Sequence, residues 1–81
     1  MLKRLGSLIG EIYDEKLINK IYDCFGYEVN IRQVVGKCAY YEKYGRCKCL
    51  EVYEDNYDTF YEIYYNNNKD NMIVGVNEEK V

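Results

Sequence analysis

Residues 47–65 read Cys47-Lys48-Cys49-Leu50-Glu51-Val52-Tyr53-Glu54-Asp55-Asn56-Tyr57-Asp58-Thr59-Phe60-Tyr61-Glu62-Ile63-Tyr64-Tyr65. Two runs rich in β-branched and aromatic residues flank a short acidic, Asn-containing break, which is the pattern of an antiparallel hairpin. The expected strands are residues 47–53 and 59–65, with residues 54–58 as the loop.

Working outward toward the C-terminus, Asn66-Asn67-Asn68-Lys69-Asp70-Asn71 forms a second turn-type cluster. It predicts a return strand over residues 72–77 and a frayed tail from Glu78 to Val81. Toward the N-terminus, Lys43-Tyr44-Gly45 fits a three-residue hairpin loop with Gly45 in the left-handed position. That predicts a strand over residues 37–42, with Gly36 marking a bend. Tyr27, Val29, Ile31 and Val35 alternate with Glu28, Asn30 and Arg32, giving a further strand over residues 27–35.

The period then changes. Ile9, Ile12, Tyr13, Leu17, Ile21, Cys24 and Phe25 recur at three- and four-residue spacing. This predicts one amphipathic helix over residues 7–25, capped by Ser7 and closed by Gly26. The fold expected is α+β: one N-terminal helix packed on an antiparallel meander of four to five strands, in a single small domain.

Simple hairpin registers divide the strand residues between two faces. The core face collects Ala39, Tyr41, Cys47, Cys49, Tyr53, Tyr61, Ile63, Tyr65, Met72, Val74 and Val76. The outer face collects Tyr40, Glu42, Lys48, Leu50, Val52, Glu54, Phe60, Glu62, Tyr64 and Ile73. A slip of one residue exchanges the faces of a strand.

Composition restricts the chemistry. The chain of 81 residues has no histidine, proline or tryptophan and eleven tyrosines, eight of them between Tyr40 and Tyr65. Without histidine, Ser-His-Asp and Cys-His arrangements are excluded. The glycines form no phosphate-binding fingerprint. Acids in residues 54–58 lack the order of a calcium loop. The four cysteines, spaced C-x13-C-x8-C-x-C, lack the paired knuckles of a structural zinc site. They read as reduced thiols, with a Cys24 bridge to Cys47 or Cys49 as the oxidised alternative. No cofactor or metal is expected. No apolar run is long enough to span a bilayer, and Glu11 and Asp14 interrupt the N-terminal apolar stretch, so a cytoplasmic protein is expected.

Charge is divided unevenly. Residues 1–49 carry nine basic and six acidic side chains, and residues 50–81 carry two basic and eight acidic. The acidic half repels duplex nucleic acid and attracts a basic protein surface. The expected binding surface comprises Tyr40, Leu50, Val52, Glu54, Asp55, Asp58, Phe60, Glu62 and Tyr64. Acids there steer the encounter, and aromatics anchor it. The expectation is a non-enzymatic protein-binding module, of the type of the small acidic inhibitors of phages and mobile elements, directed at a basic groove on a nucleic-acid-handling protein. The alternatives are a small nucleic-acid-binding domain that stacks bases on tyrosine, a zinc-stapled module, and a homodimer formed through the outer sheet face.

Overall fold

The computed structural model describes residues 1–34, 47–54, 58–66 and 70–81. In chain order the elements are α1 (Leu2–Gly6), α2 (Leu17–Phe25), β1 (Asn30–Val34), β2 (Lys48–Tyr53), β3 (Thr59–Asn66) and β4 (Met72–Lys80). The four strands form one antiparallel sheet in the order β1-β2-β3-β4. The α+β meander is therefore observed. The expected strand at 37–42, the loop at Lys43-Tyr44-Gly45, Cys38, Tyr40 and Asp55 lie outside the described residues.

The expected helix over residues 7–25 is shorter and begins later. Ser7 ends α1 instead of starting a helix: its N–H and its Oγ both donate to the Arg4 carbonyl, at 3.2 and 2.6 Å. Gly10 then adopts φ 94°, a left-handed conformation that interrupts helical geometry. Residues 10–13 bond to β4: Gly10 N–H to Ile73 O at 2.9 Å, Ile73 N–H to Glu11 O at 2.8 Å, and Tyr13 N–H to Asn71 O at 2.9 Å. The backbone donors that a helix needs are satisfied by the sheet edge. Ile9 and Ile12, counted on the buried stripe by periodicity, are exposed.

Asp14 opens α2, its carboxylate accepting the Lys16 N–H at 2.9 Å. Leu17, Ile21 and Phe25 follow at four-residue spacing and are buried along one stripe. Gly26, at φ 85°, closes the helix with its N–H on the Tyr22 carbonyl at 2.7 Å.

The main core lies between the helices and one sheet face. It joins Leu5, Leu8, Leu17, Ile21, Phe25 and Val29 to Leu50, Val52, Tyr61, Ile63, Tyr65 and Ile73. A second buried cluster, Cys47, Cys49, Tyr64 and Val74, lies on the other face with Val34 and Met72 against it.

This arrangement corrects the expected faces of β2 and part of β4. The observed register pairs Leu50 with Ile63 and Val52 with Tyr61, one residue away from the simple hairpin alignment. That slip moves Leu50 and Val52 into the core, and Cys47, Cys49 and Tyr53 to the opposite face. In β4 a bulge makes the second change. Tyr64 pairs with Gly75 while Tyr65 pairs with Ile73, leaving Val74 as the extra residue. Ile73 and Val76 consequently both pack toward the helices, whereas Val74 and Met72 belong to the second cluster. The tail expected to fray is also ordered as strand: Glu78 pairs with Tyr61, Glu79 with Phe60, and Lys80 with Thr59.

Candidate protein-binding surface

The meander brings four strand termini to one end of the sheet. Asn30 at the start of β1 pairs with Tyr53 at the end of β2, Tyr53 pairs with Phe60 near the start of β3, and Phe60 pairs with Glu79 near the end of β4. Strand pairing thus brings residues distant in sequence to one end of the sheet, with Tyr53, Phe60 and Glu79 on the face opposite the main core, Tyr27 and Glu78 on the core side, and Glu28, Glu54 and Asp58 in the segments next to the strands.

Its aromatic part is held in place by ring contacts. Tyr53 and Phe60 stack with centroids 4.8 Å apart and planes 17° from parallel. Phe25 meets the edges of Tyr27 and Tyr61, at 6.5 and 5.9 Å. Phe25 is buried in the main core, so Tyr27, which is 51% exposed, projects from a fixed base. The Tyr27 hydroxyl donates to the Glu54 carboxylate and ties the entry of β1 to the exit of β2.

Its charge is one-sided. Glu28, Asp58, Glu78 and Glu79 are exposed and Glu54 is half-buried, while Lys80 is the cation contributed at this end by the described strand termini. The Asp58 carbonyl accepts the Val81 N–H at 2.7 Å, holding the chain end beside β3. The local field acts on a neighbouring phenol: burial first, then the charges of Glu78 and Glu54, raise the pKa of Tyr61 above its usual value. Arg32 lies close by, but its guanidinium is bonded to Glu51 at 2.7 Å and to the Tyr53 hydroxyl at 3.4 Å. It also stands over the Tyr53 ring, 5.6 Å from the centroid.

Of the residues expected at the binding surface, Glu54, Asp58 and Phe60 are brought together here. Leu50 and Val52 are not at any surface, being 1% and 0% exposed within the core. Glu62 and Tyr64 are also buried, on the opposite face. Tyr40 and Asp55 lie outside the described residues. Periodicity missed Tyr27, Glu28, Tyr53, Glu78 and Glu79. The acidic bias of the C-terminal half was a signal for the last two, but a tail read as frayed gave them no place in the fold.

Glu62 sits directly opposite Glu51 across β2 and β3. Two carboxylates in register repel, so each needs compensation. Arg32 and the Tyr53 hydroxyl, at 2.9 Å, donate to Glu51. Asn77 donates to Glu62 at 3.2 Å and to Glu79 at 2.8 Å. These contacts place both carboxylates in the structural framework of the sheet.

The three described cysteines divide between the two sides. Cys24 packs against the main core on α2, whereas Cys47 and Cys49 lie in the cluster across the sheet. The sheet separates Cys24 from the other two, which corrects the possible bridge between them. Burial, and next the charge of Asp23, raise the pKa of the Cys24 thiol, with Arg4 opposing. A thiol shifted in this direction is a poor nucleophile at neutral pH.

No helix among the described residues is long and apolar enough to cross a membrane. Compared with protein-family models, with curated proteins and with solved structures, the chain matches none, so its function has to be argued from the surface itself.

Proposed function

We propose that this chain is a non-enzymatic protein-binding module that docks the acidic, aromatic end of its sheet against a basic protein surface. The observation that supports this reading is that Glu28, Glu54, Asp58, Glu78 and Glu79 share one end of the sheet with Tyr27, Tyr53 and Phe60. Aromatic groups anchored on a rigid base are suited to desolvated contact, and a one-signed rim raises the encounter rate with an oppositely charged partner. A groove built to hold nucleic acid is basic, and is the class of protein surface that such a rim complements. An inhibitor that occupies such a groove is the specific role proposed. Direct nucleic-acid binding at this end is opposed by the same carboxylates.

The test begins with capture of a partner on the immobilised chain from a lysate of source cells, followed by kinetics on the purified partner. Replacing Asp58, Glu78 and Glu79 together by lysine should slow association by about tenfold and flatten its salt dependence. Phe60→Ala or Tyr27→Ala should speed dissociation by about tenfold if either ring is an anchor. Wild-type rates for all of these variants would overturn the proposal.

A further inference from the structure

We infer that a cavity at the acidic end of the sheet receives one cationic side chain, a lysine or arginine tail, from the partner. The inference deepens the proposed function and rests on it. The cavity has a volume of about 150 Å³ and is lined by Tyr27, Glu28, Val29, Asn30, Tyr53 and Glu54. It lies where the chain leaves α2 and enters β1, beside the last residue of β2.

Size selects the class of ligand first. A cavity of this volume accepts a group about as large as benzene. Nucleotides and metabolites of drug size need roughly 300–1,000 Å³. A single side chain fits the smaller space.

Chemistry then selects which side chain. The lining includes Val29, which is buried, and the tyrosines Tyr27 and Tyr53. Such a lining suits the methylene stem of lysine or arginine, which carries its charge at the tip. The charged groups in the lining are Glu28 and Glu54, and no lysine or arginine is among the lining residues. The bond from the Tyr27 hydroxyl fixes Glu54 between the two chain segments. An anionic tail would meet two like charges, and an apolar tail would offer the two carboxylates no opposite charge.

On the exposed surface nearby, the protein pairs a cation with a carboxylate and an aromatic ring. Arg32 is bonded to Glu51 at 2.7 Å and stands over the Tyr53 ring at 5.6 Å. Glu54, the residue after Tyr53, is in the cavity lining and is the counterpart of Glu51 for a second cation.

The experiment is a titration of the full chain, followed by amide NMR, with N-acetyl-lysine methylamide, N-acetyl-arginine methylamide and the uncharged N-acetyl-norleucine methylamide. We expect saturable shifts confined to residues 27–30, 53 and 54 with at least one cation, in the millimolar range, and no saturation with norleucine. Glu28→Gln and Glu54→Gln should each weaken binding about fivefold, the upper range for one partly exposed ion pair. Glu15→Gln, exposed and outside both the cavity and the proposed surface, should change it less than twofold. Non-saturating shifts with both cations, or equal saturation with norleucine, would overturn the inference on the wild-type chain alone. If the cavity fails while the partner complex still responds to reversal of Asp58, Glu78 and Glu79, the proposed function survives without it. If the complex responds to neither set, both fall.

Discussion

Leu50→Ala separates the observed register from the alignment one residue away. In the structure Leu50 is 1% exposed, pairs with Ile63 and belongs to the main core with Leu17, Ile21 and Val52. Truncating a buried leucine removes its transfer free energy and leaves a cavity, a cost of about 2–5 kcal/mol. Leu50 lies on an inner strand with β1 and β3 on either side, so its surroundings cannot readily collapse. A loss of about 3 kcal/mol is expected from the middle of that range. For a domain of this size each kcal/mol shifts Tm by about 4–8 °C, so the midpoint should fall by roughly 12–24 °C. The assay is thermal unfolding followed by circular dichroism. Lys48→Ala in the same strand is the control, because Lys48 is exposed and its loss should shift Tm by only a few degrees. A drop below about 3 °C for Leu50→Ala would refute the reasoning, since it would equal a surface substitution of about 0.5 kcal/mol.

Two further outcomes concern stability. Burial raises the Tyr64 phenol above its usual value, with the neighbouring Cys49 and Glu62 adding to the shift. A raised pKa leaves stability intact below the unfolded tyrosine value of about 10 and removes it as pH rises beyond, by up to about 1.4 kcal/mol per pH unit for each such group. Urea unfolding between pH 8 and 11 should therefore show a shallower alkaline decline in Tyr64→Phe than in wild type, and parallel declines would contradict the buried phenol. Gly26→Ala should lower stability by about 1 kcal/mol, because φ 85° is costly for a side chain while nothing lies within 4 Å of the added Cβ. An unchanged melting midpoint would count against a left-handed Gly26.

Strand existence was legible because the apolar runs are bounded by strong turn signals. Residues 47–53 and 59–65 differ from β2 and β3 by a single residue at one end of each. Which face each residue takes was much less legible. In β2 the set Cys47, Cys49, Tyr53 is about as apolar as the set Leu50, Val52, and each set includes a charge beside it, so alternation does not favour either face. The bulge at Val74 had no marker distinguishable from ordinary strand sequence. Helix length was misjudged because Ile9 and Ile12 fit the periodicity, and the competing hydrogen bonds from residues 10–13 to β4 are contacts distant in sequence. The same limit applies to the proposed surface. Local composition was enough for Glu54, Asp58 and Phe60, but Tyr27, Glu28, Glu78 and Glu79 join them only through strand pairing.

Burial on both sides of the sheet restricts how this fold can bind. Sheets that stack bases offer an open face, with aromatic rings presented to the ligand. Here the helices cover one face, and on the other Cys49 and Tyr64 are fully buried, with Cys47 and Val74 nearly so. The residues that suggested base stacking or dimerisation through an outer face, Leu50, Val52 and Tyr64, are therefore committed to packing. The N-terminal half of β4 is engaged along its edge by residues 10–13. Among the described residues, the end where β1 and β3 begin and β2 and β4 finish carries the exposed acids Glu28, Asp58, Glu78 and Glu79. Antiparallel order places all four termini side by side there, so short polar and acidic segments next to each strand gather at one end of the sheet, outside both cores. On the proposed function, changes at Glu28 or Asp58 alter partner charge preference while the buried clusters stay intact, whereas Glu54 and Glu79 also accept from Tyr27 and Asn77, so changes there carry a structural cost as well.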